Sequence, residues 1–323
     1  MKRRWIAALL TLALGPSIAL AETGRPDPVR VVTTVGMIRD VVANVGGDCV
    51  AVDALMGPGV DPHLYRASAG DVRKLRNADV IFYGGYSLEG KLGSVLDRLR
   101  KNIQTVAVSE ATYEPDTLLE GGEDYAIDPH LWMDVELWAG TIGTIADALI
   151  EQQPACEGTV RNNAEHYRQQ LTALDGWIRE AIGTIPEDHR YLVTAHDAFG
   201  YYGRSYDIQV VGIQGISTAS AAGVGDIRAT AAKIVDTGVP AIFIESTINP
   251  RTIQSVVEAA QQRGHQVEVG GELYSDAMGA QGTAEGTYIG MLHANTRTVV
   301  TALGGQTPPL PAALEDWAKE WGL

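Results

Sequence analysis

The sequence predicts an α/β protein built from two parallel-sheet lobes joined by a single long connecting helix. Short β-branched runs alternate with helical patterns in both halves of the 323-residue chain, the order expected of parallel sheets covered by helices. One continuous amphipathic pattern, over residues 159–183, separates the two series. We therefore divide the chain into a signal peptide (1–21), an N-terminal lobe (22–157), a linking helix (158–185) and a C-terminal lobe (186–323).

The first residues resemble an export signal. Lys2, Arg3 and Arg4 precede an apolar stretch, residues 6–14, that is too short to span a membrane comfortably. Small residues then offer a cleavage site ending at Ala21, and no cysteine follows there to carry a lipid anchor. We expect cleavage after Ala21 and a soluble periplasmic product. No later stretch is long and apolar enough to predict a transmembrane helix.

The net charge and the cysteine count narrow the choice of partners. The formal charge of −15 at pH 7 disfavours nucleic acid and anionic lipid, so we expect no nucleic-acid partner. We also expect a monomer. Cys49 and Cys156 are the two cysteines, and they lie far apart outside any CxxC pattern. In an oxidising compartment they could form one disulfide, whereas metal ligation by this pair is not expected.

The elements of the N-terminal lobe follow in a regular order. The predicted strands cover residues 29–34, 50–55, 80–83 and 105–108. Helical patterns fall at residues 69–76, 91–100 and 135–152. Residues 114–127 are rich in acidic groups and glycine, and we expect an acidic surface loop there.

The linking helix and the C-terminal lobe complete the prediction. Apolar residues recur at helical spacing over residues 159–183, and the opposite face is polar. The alternation then restarts with predicted strands at residues 191–194, 209–213, 241–244 and 266–269. Helices are predicted at residues 227–236 and 250–263, the second with Pro250 in its first turn and Asn249 as its cap.

Four polar residues stand where this architecture places ligands. His63 and His130 each end an Asp-Pro-His triplet, in which proline restricts the turn that carries the imidazole. His196 directly follows a predicted strand, and Asp276 follows another after Gly270-Gly271. Ligands of open parallel sheets bind beyond the carboxyl ends of the strands. We therefore expect all four residues to meet in the cleft between the lobes, two from each lobe.

Three imidazoles and one carboxylate suit a divalent transition metal, either Zn²⁺ or Mn²⁺. The remaining histidines lack a rigid turn or a strand end, and we expect none of them to be a ligand: His166, His189, His265 and His293. Glu245 ends a predicted strand beside the same cleft. It could hydrogen-bond a ligating histidine or interact with the helix that follows, and the sequence leaves both alternatives open.

Several motifs in this order resemble the TroA-like family, the metal-binding receptors of bacterial zinc and manganese ABC importers. The motifs occupy residues 57–65, 128–132, 196–201, 211–217 and 271–279. The resemblance implies two α/β lobes joined by a rigid helix. It implies metal ligation by His63, His130, His196 and Asp276, and delivery of the metal to a membrane permease.

Two features bear on the metal and on the alternative function. Residues 114–127 lack the histidine-rich loop common in zinc-dedicated members, and the third ligand is His196 rather than the glutamate common in manganese- or iron-dedicated members. Both zinc and manganese therefore remain candidates. The alternative is a secreted zinc-dependent hydrolase. No His-Glu-x-x-His helix or Gly-x-Ser-x-Gly turn is present, and four ligands would close the shell that a catalytic zinc keeps open. We therefore expect a receptor and not an enzyme.

Overall fold

The computed structural model describes residues 27–122 and 125–323 of the chain. The predicted signal peptide and its cleavage after Ala21 lie outside the described residues. Within them, no helix combines the length and the apolar character needed to cross a membrane.

The first half forms one parallel sheet with helices around it. Its strands are β1 (Val29–Thr33), β2 (Val50–Ala54), β3 (Val80–Tyr83) and β4 (Gln104–Ala107), in the order β2-β1-β3-β4. Its helices are α1 (Gly36–Gly46), α2 (Ala69–Arg76), α3 (Gly93–Leu99), α4 (Val108–Thr112) and α5 (Val135–Gln152). All three strand pairings are parallel, so the four carboxyl ends share one edge of the sheet.

The second half repeats the alternation. Its strands are β5 (Tyr191–His196), β6 (Gln209–Gln214), β7 (Ala241–Glu245) and β8 (Glu268–Leu273), with parallel pairs β5–β6 and β7–β8 and with β5 next to β7. Its helices are α7 (Gly200–Tyr206), α8 (Val224–Thr237), α9 (Arg251–Gln261), α10 (Tyr288–Ala302) and α11 (Glu315–Trp321). All eight predicted strands are confirmed, as is the α/β class with two parallel-stranded halves.

One long helix, α6 (Glu157–Gly183), joins the two halves, as predicted. Its buried face carries the apolar residues whose spacing predicted it, from Val160 to Ile182. The helix packs against α1 and α5 on one side and against α7 and α10 on the other. Tyr167 adds a polar contact, because its hydroxyl donates to the buried carboxylate of Asp40 in α1 at 2.6 Å. The linking helix therefore shares one core with both halves.

The disulfide lies where α6 begins. Cys49 follows α1 and Cys156 precedes α6, and a disulfide bond links the two sulfurs across 107 residues. The bond fixes the start of the linking helix to the segment that leads into β2.

One prediction for the second half is corrected by the structure. The predicted strand at residues 266–269 ended before Gly270 and Gly271, but both glycines lie inside β8, which begins two residues later and ends four residues later than predicted. The reason is close packing. A Cβ on Gly270 would come within 2.7 Å of Ala302 and 2.8 Å of Phe243, and one on Gly271 within 2.6 Å of Thr298. Helix α10 lies against β8 at this point, and glycine leaves the room that it needs.

The prediction of an acidic surface loop before His130 is also corrected, because part of this segment has regular structure and buried side chains. Residues 115–117 form a short 3-10 turn, and Glu120 pairs with Ile127 in an antiparallel bridge. Leu118 and Ile127 are buried. The segment is therefore a packed part of the fold and not a surface loop alone, and one of its residues reaches the site described below.

Candidate metal site

His63, His130, His196 and Asp276 converge between the two halves of the molecule. Their potential ligand atoms all lie within 4.8 Å of one another, and in the described part of the chain they form the one such group of three or more. The four side chains are fully buried. The sequence therefore identified the residues that the fold brings together.

Asp276 lies at the centre of the group. Its Oδ2 is 3.5 Å from His63 Nε2 and 3.2 Å from His196 Nε2, and its Oδ1 is 3.3 Å from His130 Nε2. His63 Nε2 and His130 Nε2 are 3.3 Å apart. Tetrahedral zinc with ligands at about 2.0–2.1 Å separates neighbouring ligand atoms by about 3.3 Å. The four measured distances, 3.2–3.5 Å, are close to this spacing.

The strand ends explain why these residues meet. His196 is the last residue of β5, and Asp276 follows the end of β8 by three residues. His63 follows β2 through a turn at residues 57–60, and His130 immediately precedes the short 3-10 helix Leu131–Met133 that leads into α5. Both halves thus direct the carboxyl ends of their strands into the same cleft.

Asp128 orients the imidazole of His130. Its Oδ1 accepts a hydrogen bond from the backbone N–H of His130 at 3.0 Å and lies 2.7 Å from His130 Nδ1. A carboxylate at Nδ1 keeps a hydrogen on Nδ1, so Nε2, which faces Asp276, is the nitrogen that can bind a metal once its own proton has left. The adjacent Trp132 donates its indole N–H to the carbonyl of Ser275 at 2.9 Å, so this turn is also tied to the residue before Asp276.

Glu245 has the same role for His196. Its Oε1 accepts from the backbone N–H of His196 at 2.8 Å, and its Oε2 lies 2.5 Å from His196 Nδ1. Of the two alternatives that the sequence left open, the structure places Glu245 against the histidine.

His63 is held differently. Asp61, the aspartate of its own triplet, accepts from the backbone N–H of His63 at 2.8 Å and from the hydroxyl of Thr218 at 2.6 Å. The imidazole Nδ1 instead lies 3.0 Å from the hydroxyl of Tyr125. In both Asp-Pro-His triplets the aspartate accepts from the backbone N–H of the histidine, but only Asp128 also faces the imidazole Nδ1. Asp61 instead accepts from Thr218.

Tyr125 was not predicted as a site residue from the sequence. It lies 62 residues from His63, inside the segment that was expected to be a surface loop. No local pattern marks it, and the only available signal was its position shortly before the second triplet.

Burial and neighbouring charges shift the pKa values of the three imidazoles in two directions: the pKa of His63 is lowered, and those of His130 and His196 are raised. Burial lowers the pKa of His63 to about 3, although Asp276 opposes the effect. Burial also disfavours the charged form of His130, but Asp128 and Asp276 outweigh it and raise the pKa to about 9. In the same way, Glu245 and Asp276 outweigh burial and hold the pKa of His196 well above its ordinary value.

Asp276 responds in the opposite direction. Burial would raise its pKa, but the imidazoles of His196 and His130 outweigh that effect and hold the pKa well below its usual range. Without metal, the structure therefore favours an Asp276 carboxylate flanked by two protonated imidazoles. One divalent cation carries the same charge as the two protons that it replaces. Metal binding therefore adds no net charge to the buried site, where an extra charge would be costly.

The other histidines lie outside the cluster: His166, His189, His265 and His293. His265 Nε2 lies 2.9 Å from the carbonyl oxygen of Val239. His293 packs between Trp177 and Trp317, with ring centroids 4.9 Å and 5.8 Å away.

Comparison with known proteins places this geometry in a family. Residues 31–302 match the model of the family described as zinc-uptake complex component A, periplasmic. The chain belongs to this family. The match extends from β1 to the end of α10 and so includes the whole cluster and the linking helix.

Relatives within the family carry the names of different metals. The zinc-binding protein TroA of Treponema pallidum is 46% identical over 293 residues, which cover 91% of this chain and 93% of that protein. The manganese-binding lipoprotein MntA of Bacillus subtilis is 42% identical over 306 residues, covering 94% of this chain and 100% of that protein. The solved structure of the periplasmic zinc-binding protein TroA from T. pallidum matches with a TM-score of 0.83 at 47% identity, over 85% of this chain and 99% of that one.

Proposed function

We propose that this chain is a periplasmic receptor that captures a divalent transition metal, zinc or manganese, and delivers it to an ABC importer. The observation that carries the proposal is the fully buried group of three imidazoles and one carboxylate, to which both halves of the molecule contribute. The proposed ligands are the Nε2 atoms of His63, His130 and His196 and the carboxylate of Asp276. Membership of a family described as part of a zinc-uptake complex supports the role in transport.

The enclosure of the site favours capture over catalysis. A catalytic zinc keeps one coordination position open for water and substrate. Here the measured distances between the imidazole Nε2 atoms and the Asp276 carboxylate, and between the Nε2 atoms of His63 and His130, are 3.2–3.5 Å. All four side chains are buried from solvent. The relatives named above are metal-binding proteins, so they give no support to the hydrolase alternative. We therefore propose no enzymatic activity.

The choice between zinc and manganese depends on how Asp276 binds. Three imidazoles favour zinc by ligand type, and one oxygen from Asp276 would complete a tetrahedron. Both oxygens of Asp276 face imidazoles, however, since Oδ1 lies near His130 and Oδ2 near His63 and His196. Coordination by both oxygens would raise the coordination number and suit manganese better.

The proposed organisation follows from this role. The N-terminal lobe (22–157) supplies two ligands, the C-terminal lobe (186–323) supplies two, and the linking helix (158–185) holds the lobes together. The receptor would act as a monomer after export and cleavage following Ala21, with the permease of the importer as its protein partner and no nucleic-acid partner.

Metal analysis and transport together test the proposal. Protein purified without added metal should contain about one zinc or manganese ion per chain, and it should fail a broad hydrolase screen. A cell that lacks the gene should accumulate less of that metal, and the wild-type gene should restore uptake where an Asp276→Ala variant does not. Metal-free protein that shows no affinity for either ion would contradict the proposal.

A further inference from the structure

A short antiparallel pair of segments lies beside the site. We call residues 119–122 and 125–128 the paired segment. Glu120 and Ile127 form its bridge, and the backbone N–H of Asp128 donates to the carbonyl of Leu119 at 2.9 Å. These contacts place the two arms side by side.

A glycine permits this close approach. The backbone N–H of Gly121 donates to the carbonyl of Ala126 at 3.2 Å. A Cβ at Gly121 would lie 2.5 Å from both the Cβ and the carbonyl oxygen of Tyr125. Tyr125 already fills that space, so only glycine at position 121 lets the two arms approach this closely.

The base of the paired segment is fixed to the other half of the molecule. The hydroxyl of Tyr201, in α7, accepts from the backbone N–H of Leu119 at 3.1 Å and donates to the carbonyl of Asp128 at 2.9 Å. The side chain of Asp128 in turn orients His130. One end of the paired segment thus holds the second candidate ligand.

The other arm reaches the first candidate ligand. The Tyr125 hydroxyl lies 3.0 Å from His63 Nδ1, and the two rings meet edge to face with centroids 5.9 Å apart. The paired segment therefore contacts His63 and His130, which are 67 residues apart in the sequence but 3.3 Å apart at their Nε2 atoms.

The partner of His63 differs in charge from the partners of the other two imidazoles. His130 and His196 each present Nδ1 to a carboxylate, that of Asp128 and that of Glu245. A carboxylate acceptor increases the basicity of a ligating imidazole, and a neutral phenol does so less. The phenol can still hold the ring orientation, because its oxygen can accept a hydrogen bond from Nδ1–H.

We propose that Tyr125 is a positioning residue that orients His63 for metal binding and makes it the least firmly held of the three imidazoles. This inference rests on the proposed metal site. When His63 Nε2 faces the metal, its Nδ1 carries the hydrogen and donates it to the oxygen of Tyr125. Without that acceptor the ring can rotate out of the ligating orientation, while His130 and His196 keep theirs.

The test compares Tyr125→Phe with the wild type in the full chain, with zinc as the probe. The variant removes only the hydroxyl. Tyr86→Phe is the matched control, because the Tyr86 hydroxyl donates to the carbonyl of Tyr113 at 2.9 Å, away from the imidazoles. Partners of ligating histidines are typically worth 10- to 100-fold in metal affinity. We expect Tyr125→Phe to lose about tenfold, the low end of that range for a neutral partner.

A spectroscopic measurement separates positioning from a general loss of structure. In zinc-loaded wild type, proton NMR should show a protected Nδ1–H signal for each ligating imidazole. In Tyr125→Phe the His63 signal should broaden through exchange with water, while those of His130 and His196 persist. Zinc dissociation should be faster, and the melting temperature of the metal-free protein should match that of Tyr86→Phe.

The possible failures are distinguishable. If the wild type does not bind zinc, manganese being tested in parallel, the proposed function fails with the inference. If the wild type binds zinc and Tyr125→Phe keeps its affinity, dissociation rate and His63 signal, the inference alone is wrong. Loss of all three Nδ1–H signals together would also overturn it, because it would mean a general loosening of the site.

Discussion

Glu245 accepts two hydrogen bonds from His196, one from the backbone N–H at 2.8 Å and one from the imidazole Nδ1 at 2.5 Å. The two residues are the last residues of adjacent strands, β7 and β5. The strands belong to two separate pairs, β5–β6 and β7–β8, but β5 lies next to β7, so the two strand ends bring His196 and Glu245 together. The orientation of His196 is thus built into the second half of the molecule before any metal arrives.

Glu245→Gln should weaken metal binding without unfolding the protein. The amide keeps the shape of the side chain but removes the buried negative charge that holds the His196 imidazole. We expect a loss of about 10- to 100-fold in affinity, measured by competition with a chelator of known affinity. Glu258→Gln is the control, since Glu258 is exposed on α9. Equal affinities for the two variants would contradict the role assigned to Glu245.

Asp276→Asn should weaken binding more than Glu245→Gln does. Asp276 is the only carboxylate among the four proposed ligands, and its neighbours hold its pKa far below the usual range, so it is fully ionised at neutral pH. An amide keeps the volume but carries no charge to offset a divalent ion. The same competition titration measures the effect, with His166→Ala on the exposed face of α6 as a control that should change little. A milder loss for Asp276→Asn than for Glu245→Gln would refute this ranking.

The grouping of the four candidate ligands could be predicted because their signals are local. Each Asp-Pro-His triplet indicates a rigid turn, and His196 directly ends a β-branched run. Because ligands bind beyond the carboxyl ends of parallel strands, these local patterns were enough to predict that the residues lie close together. The opposite holds for Tyr125. Its contact with His63 requires the antiparallel pairing of Glu120 with Ile127, a long-range arrangement that no local pattern encodes.

The strands show the same contrast. Val80–Tyr83 is a buried apolar run, and it was predicted with its observed bounds. The predicted strand at residues 266–269 ended too early, because Gly270 and Gly271 normally weaken a strand. Glycine is needed at both positions because Ala302 and Thr298 of α10 pack closely against them. This tertiary contact cannot be predicted from the local sequence.

Metal binding should release protons at neutral pH. The pKa of His130 is raised to about 9 and that of His196 lies well above 6.5, so both imidazoles carry a proton in the metal-free protein at pH 7.5. His63, with a pKa lowered to about 3, carries none to release. Zinc binding should therefore release about two protons. Calorimetric titration in two buffers of different ionisation enthalpy measures the number.

The sign of the pH dependence follows from these shifts. Because bound protons compete with the metal, affinity should rise with pH and should still be rising between pH 7 and about 9, where His130 loses its proton. Unshifted histidines would give a plateau above about 6.5. A plateau from pH 7 upward, with no proton release at pH 7.5, would show that His130 and His196 are neutral before metal binds.

The disulfide should stabilise the whole fold. Cys49 and Cys156 close a loop of 107 residues, for which the chain-entropy model gives up to about 4.7 kcal/mol. A Cys49→Ser, Cys156→Ser double variant should unfold at lower denaturant concentration, with metal affinity retained because the bond lies outside the cluster. Thiol labelling of the unreduced, unfolded wild type is the direct check, and two free thiols would contradict the pairing.

Anomalous diffraction from crystals of the zinc-loaded protein, recorded above and below the zinc absorption edge, tests the central claim most directly. The account predicts one strong peak per chain, about 2.0–2.2 Å from the Nε2 atoms of His63, His130 and His196 and from at least one oxygen of Asp276. A peak that lies elsewhere, or that lacks ligands from one half of the molecule, would contradict the account.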